Sequence, residues 1–237
     1  MSNPISVLHI FSPQYKKNFS GASIRWKSCF NRWKDPSIIH YVLDIENDIM
    51  IDAKNAFNSH FLEGQKSISR WKRFIWVFHL NKNLKKHQGE YNVLHFHVLL
   101  WGGLLMILWS KLKKIPTIYE SVLQGSDTPP AILCESLGNV KLWFLKKVGA
   151  ILTISNAIAE DYLNYGFSKN QVFTLMNNVD SNLFCPVSSL KAKQNLRKKF
   201  YLPKDASILL FSGSIRHRKG VDILIKAFSE VSQRYTE

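Results

Sequence analysis

Ser207-Ile208-Leu209-Leu210-Phe211-Ser212-Gly213-Ser214-Ile215-Arg216-His217-Arg218-Lys219-Gly220 is the stretch on which the reading of the fold turns. Residues 207–211 read as a buried strand, because four of five are apolar and the run is bounded by polar and glycine positions. Residues 221–234 then carry helical spacing, with Val221, Leu224, Ile225 and Phe228 as the expected buried stripe. Strand, glycine turn and helix in that order form a phosphate-binding arrangement. Gly213 lets a ligand approach the backbone, while Arg216, Arg218 and Lys219 offer charged donors beside a helix N-terminus. A solvated basic turn is the plainer alternative, and the position between a buried strand and an amphipathic helix favours the anion site. The sequence ends at Glu237, with that helix. The expectation is a second nucleotide-binding domain of which most is absent.

Upstream, strand-like and helical runs alternate almost throughout, which predicts an α/β fold with a mostly parallel sheet. Strands are expected at residues 6–11, 38–45, 92–96, 117–120, 150–154 and 171–175. Helices are expected from Ser20-Gly21 onward, with Trp26, Phe30 and Trp33 on one face, and at residues 99–112, 132–147 and 156–165, the last closed by Gly166. Pro186, Ser188 and Ser189 break the periodicity, and Pro203 resets it. The expected organisation is a first domain over residues 1–185, a linker over 186–204 and the start of a second domain over 205–237.

Composition narrows the function classes. With 32 basic and 17 acidic residues the chain carries +15, so it attracts polyanions. Nucleic acid is disfavoured as a partner, because charge is its only support and no recognition motif accompanies it. Cys29, Cys134 and Cys185 are scattered without a Cys-x-x-Cys pair, which points to a reduced, cytoplasmic protein rather than a disulfide framework or a zinc site. The most apolar stretch, residues 98–109, has twelve residues against the roughly 20 that cross a bilayer. Residues 67–87 set Trp71, Phe74, Ile75 and Phe78 at helical spacing among basic side chains. Such a helix packs against a sheet or lies on an anionic membrane, and packing is the expectation.

Ligands of open α/β sheets bind at the carboxyl ends of the strands. Ser20-Gly21-Ala22 follows the first strand, where Gly21 opens a helix and leaves backbone N–H groups to an anion; an ordinary tight turn reads the same. His95-Phe96-His97 ends another strand, with both rings on one face. His95 is expected in the core, and His97 stands evenly between packing and contact with a sugar hydroxyl. A zinc reading needs further ligands, and none is near in sequence. Glu120 to Thr128 forms a polar loop in which Glu120 and Asp127 offer a carboxylate pair whose separation the spacing does not fix, while capping and turn formation are the plainer roles of Ser126 and Asp127.

Taken together, the pattern resembles the family 4 retaining glycosyltransferases of the GT-B type, which have two Rossmann-like domains across a cleft. Ser20-Gly21-Ala22 matches the glycine loop, His95-Phe96-His97 the strand ending in His-x-His, and residues 117–127 the next strand and acceptor-side loop. Residues 176–184 resemble the segment that leaves the first domain, with Met176 and Asn178 in place of a usual proline and glycine. Gly213 to Gly220 resembles Gly-Arg-x-x-x-x-Lys-Gly, with Lys219 at the phosphate-binding lysine, Ser214 in place of arginine and Arg218 able to take over its charge. The resemblance implies transfer of a hexose-type sugar, with retention, from a nucleotide-sugar donor to a cell-envelope glycan or lipid-linked acceptor. It implies His97 as the catalytic contact, Gly21, Gly213, Arg218 and Lys219 at the donor phosphates, and Glu120, Ser126 and Asp127 on the acceptor side. No metal or other cofactor is implied, and Asp44-Ile45-Glu46 is a poor substitute for a metal-binding pair. The expected location is cytoplasmic, on the inner face of the membrane if peripheral. The competing expectation is a non-catalytic, truncated or split subunit that binds a partner or an anionic membrane surface.

Overall fold

The computed structural model describes residues 3–11, 21–44, 48–58, 70–97, 101–213 and 215–234. Ser20, residues 67–69, Ile45, Glu46 and Ser214 therefore lie outside the described residues, as do the side chains of Trp71 and Phe74. The described chain forms two compact units, Met1–Asn178 and Val179–Glu237.

The first unit is built on a seven-stranded sheet. Its strands are β1 (Ile5–Ile10), β2 (Ile38–Asp44), β3 (Ile49–Asp52), β4 (Val93–Phe96), β5 (Thr117–Ser121), β6 (Ala150–Thr153) and β7 (Val172–Thr174). They lie in the order β3-β2-β1-β4-β5-β6-β7. All pairings are parallel except β2 with β3. Helices α1 (Gly21–Arg32), α2 (Ala53–Asn58), α3 (Arg70–Lys86), α4 (Trp101–Leu112), α5 (Pro129–Leu133), α6 (Gly138–Leu145) and α7 (Asn156–Asn164) connect them. The mostly parallel sheet is the predicted one, and six of its strands fall where the apolar runs put them. β3 and α2 are additional. The strand order reverses beside β1, since β2 lies on one side of it and β4 on the other. That reversal opens a crevice at the carboxyl ends of β1 and β4.

Two apolar layers flank the sheet. Leu8, Ile10, Leu94, Phe96, Tyr119 and Ile151 pack with Leu80, Leu84, Leu104, Ile107, Leu142 and Leu145 from the helices. Phe11, Phe30, Val42, Ala53, Ala56 and Phe57 form a second cluster, with Trp26 against it. In α3 the described members of the expected stripe are exposed, Ile75 at 50% and Phe78 at 62%, while Leu80 and Leu84 are buried. The packing face is therefore offset from the Ile75–Phe78 pair, which corrects the expected stripe.

The single helix expected over residues 132–147 is two. Leu137 takes a left-handed φ of 57° between α5 and α6. Gly138 then passes so close to α5 that a Cβ there would stand 2.3 Å from the Ile132 carbonyl oxygen and 2.7 Å from Leu133 Cα. Only glycine admits that approach. α7 is capped by Ser155, whose hydroxyl accepts the Ile158 N–H. At its other end Gly166 (φ 78°) donates to Leu163 O and Phe167 donates to Tyr162 O, a Schellman closure. The Tyr162 and Phe167 rings meet at 5.0 Å, completing it.

The second unit holds α8 (Leu190–Lys199), a 3₁₀ turn over His217–Lys219 and α9 (Val221–Arg234). Ser189 caps α8, and Arg197 Nη1 donates to the carbonyls of Pro203, Lys204 and Ala206. Residues 207–211 form no ladder among the described residues, and Leu210 is 87% exposed. The buried strand expected there is not made, because an extended segment becomes a strand only when another strand takes its backbone hydrogen bonds. The stripe of α9 is likewise uncovered, with Leu224 at 40%, Ile225 at 64% and Phe228 at 54% exposure.

Candidate functional site

Parallel register sets the site. His9 on β1 lies opposite His95 on β4, and His95 lies opposite Ile118 on β5. Alternation then carries His97 and Glu120 to the same face, two residues nearer the carboxyl ends. His40 joins this face from β2, where it is in register with Val7. α1 covers the layer. Trp26 stands 5.3 Å from the His9 ring and 4.8 Å from His97, and Phe30 lies 5.0 Å from His9. Phe11 stacks on His97 at 4.1 Å with the ring planes 4° apart.

These side chains form a directed hydrogen-bond array. His97 Nδ1 is 2.5 Å from Glu120 Oε2, which also accepts from Trp26 Nε1 at 2.9 Å. Arg25 pairs with Glu120 Oε1 and donates to Asn177 Oδ1 at 2.5 Å. A carboxylate can only accept, so His97 carries its proton on Nδ1. His97 Nε2 then accepts from His9 Nδ1 at 2.9 Å, and His9 Nε2 accepts from His40 Nδ1 at 2.9 Å. Burial holds His9 and His97 well below the usual imidazole range, with neighbouring histidines adding to the effect. His95 is pushed down to about 3, first by burial and then by Arg25 and His40. His40 is lowered by burial. The four rings are therefore neutral at pH 7. His95 Nε2 is buried without a hydrogen-bond partner.

His97 and Glu120, read separately in the sequence, are thus partners. The His97 side chain is fully covered and that of Glu120 is 4% exposed. Gly21 opens α1, as read. Ser126 and Asp127 shape a turn: both N–H groups reach Leu123 O, and Asp127 Oδ2 accepts from Val122 N at 3.3 Å. Tyr162 Oη donates to Asp127 O at 2.6 Å. Burial raises the Asp127 carboxyl above its ordinary value. Asp127 and Glu120 keep separate partners and form no carboxylate pair. In the second unit Gly213 precedes the 3₁₀ turn, whose Arg218 and Lys219 are exposed, and Gly220 ends it at φ 63°. Sequence reading missed His9, His40 and Arg25. A histidine inside the apolar run Val-Leu-His-Ile-Phe was the available signal for His9; Arg25 had none beyond its place beside Trp26.

The zinc reading lacked further ligands near in sequence, and the fold brings one more imidazole, His9, beside His95 and His97. No helix among the described residues is long and apolar enough to cross a membrane.

No protein-family model matches the chain. It is 30% identical over 156 residues to D-inositol 3-phosphate glycosyltransferase 1 of Catenulispora acidiphila, covering 60% of this chain and 35% of that one. It is 25% identical over 162 residues to the D-inositol 3-phosphate glycosyltransferase of Xylanimonas cellulosilytica, covering 65% and 39%. The chain thus spans between a third and two fifths of the length of these relatives. Among solved structures it is similar to Anabaena Alr3699/HepE in complex with UDP and glucose, with a TM-score of 0.50, 12% identity and coverage of 83% and 50%. It is equally similar to UDP-GlcNAc 2-epimerase from Neisseria meningitidis bound to UDP-GlcNAc, with a TM-score of 0.50, 10% identity and coverage of 98% and 63%. At 10–12% identity the structural likeness speaks for the fold alone. Over about 60% of its length the chain is thus similar in sequence to proteins named D-inositol 3-phosphate glycosyltransferases, and its sheet has the fold of UDP-sugar-binding solved structures.

Proposed function

We propose that this chain supplies the acceptor-side domain, and the opening of the donor-side domain, of a retaining glycosyltransferase. The reaction moves a hexose-type sugar from a nucleotide-sugar donor to a cell-envelope glycan or lipid-linked acceptor. The bond from the anomeric carbon to the diphosphate oxygen breaks, and the acceptor hydroxyl forms the new bond on the same face and loses its proton. The observation that carries the reading is the Arg25–Glu120–His97 cluster at the carboxyl ends of β4 and β5, beside the strand-order reversal. In this reading the α1 N-terminus at Gly21 faces the donor phosphates. Gly213 admits the diphosphate, and Arg218 and Lys219 neutralise it as it leaves. His97 reaches the transferred sugar when the α1 cover over its ring shifts, and Glu120 fixes the tautomer that presents Nε2. Ser126 and Asp127 shape the acceptor-side loop.

Calorimetry with UDP-glucose and UDP-N-acetylglucosamine on the complete gene product that contains these residues tests the reading. Saturable binding weakened about tenfold or more by Lys219→Ala supports it, in line with loss of a charge-assisted contact. Absence of heat with every nucleotide sugar tried refutes it.

One observation favours a second reading, in which the chain docks on an anionic membrane surface without transferring sugar. Lys111, Lys114, Lys146 and Lys147 line a hollow of about 500 Å³ at the amino ends of β5 and β6, with no acidic residue in its lining. Leu112, 83% exposed, and Trp143, 51% exposed, stand beside those lysines in the chain. Sedimentation with phosphatidylglycerol vesicles but not phosphatidylcholine vesicles, lost in Lys111→Glu/Lys147→Glu, supports it; equal recovery with both lipids goes against it.

A further inference from the structure

We propose that His9, His95 and His97 form a binding site for a divalent metal ion of the zinc class. One ring nitrogen from each lies within 4.8 Å of those of the other two, and all three residues are buried. Four-coordinate zinc holds imidazole nitrogens at about 2.0–2.1 Å, so its ligands stand roughly 3.3 Å apart. His9 Nδ1 and His97 Nε2, at 2.9 Å, need to open by only a few tenths of an ångström. His95 Nε2 is buried with no hydrogen-bond partner, which makes it the natural third donor. The supporting groups are those of a metal centre. Glu120 accepts from the far nitrogen of His97 at 2.5 Å, the carboxylate–histidine arrangement that orients a ligating ring. Three imidazoles without thiolate or carboxylate in the inner sphere suit zinc, cobalt, nickel or copper rather than calcium or magnesium.

The protons balance without leaving the array. To free Nδ1, His9 moves its proton to Nε2, where it donates to His40 Nδ1. His40 then carries its own proton on Nε2, an atom that is buried and unpartnered. All three ligands stay neutral imidazoles, the form that binds metal. The ion bridges neighbouring strands β1 and β4 beneath α1. It locks the floor of the crevice and occupies His97 Nε2, the nitrogen that the proposed function presents to the sugar, so metal ligation and sugar contact at that atom exclude each other.

The test is titration of chelator-treated protein with Co²⁺ and then Zn²⁺, read by the visible bands of four-coordinate cobalt and by imidazole ¹⁵N NMR. The expected result is one ion per chain, with ligation shifts on three histidine rings and bleaching of the cobalt bands by zinc. His95→Leu, which leaves the Glu120–His97–His9 bonds in place, should weaken binding by more than about 100-fold, beyond the usual effect of an outer-sphere change. His79→Ala and His217→Ala, at exposed positions, should leave it unchanged. The NMR arm needs no variant and covers the case in which His95→Leu does not fold. Absence of four-coordinate cobalt binding overturns the proposal. So does binding that survives His95→Leu, or ligation shifts on any rings other than these three.

Discussion

Glu120 concentrates the chemistry of the site in one side chain. It takes Arg25 on one oxygen and Trp26 with His97 on the other, at 4% exposure. A buried carboxylate of this kind is stable only while its donors remain, so removing one leaves an uncompensated charge. Arg25→Gln is expected to cost about 3–5 kcal/mol in urea unfolding, and the Arg25→Gln/Glu120→Gln double variant less than the sum of the singles. Additive costs would show that the pair is not coupled. The histidines make a separate prediction. Their folded values lie below the unfolded 6.5, so the unfolded chain binds more protons as the pH drops. Stability is therefore full above pH 6.5 and declines below it, for His95 down to about pH 3. Each histidine contributes a slope of about 1.4 kcal/mol per pH unit within that window. Thermal melts at pH 7.5, 6 and 5 check the sign; a midpoint that rises on acidification contradicts it. At this scale the sequence showed His95 and His97 on one face through simple alternation. It could not show His9 and His40 beside them, because that adjacency depends on the order β2-β1-β4.

Among the elements, local chemistry decided the boundaries that were legible. Apolar runs marked six parallel strands, and the Gly166 closure marked the end of α7. β3 was missed because it is a four-residue edge strand whose apolar run, Ile49-Met50-Ile51, is only three residues long. The break between α5 and α6 was missed because its cause is steric rather than compositional: Gly138 lies against the α5 backbone. Gly138→Ala should therefore destabilise by about 3 kcal/mol or more, since backbone atoms on both sides must shift. Gly166→Ala, at φ 78° with only Lys146 Nζ nearby at 3.4 Å, should cost about 1 kcal/mol. Comparable midpoints for the two variants in urea would refute the steric account. The segment 207–211 and the α9 stripe show the converse limit, in which an apolar pattern has no partner surface among the described residues, and at 207–211 no strand forms.

For the molecule as a whole, the sheet order, the crevice beside β1 and the sequence likeness are the observations that support the proposed nucleotide-sugar transfer. The net charge of +15 includes the basic turn at Arg218-Lys219 in the second unit and the lysine hollow at the amino ends of β5 and β6 in the first. Their roles separate by ionic strength, because long-range attraction fades over a Debye length of about 10 Å at 0.1 M salt. The most direct test of the central claim is donor turnover by the complete gene product containing these residues, measured as nucleoside diphosphate release from UDP-sugars. Wild type should release it, and Glu120→Gln and Lys219→Ala should each lower the rate by about 100-fold, as loss of an electrostatic stabiliser does. Unchanged rates in both variants, or no release from any UDP-sugar by wild type, would contradict the account.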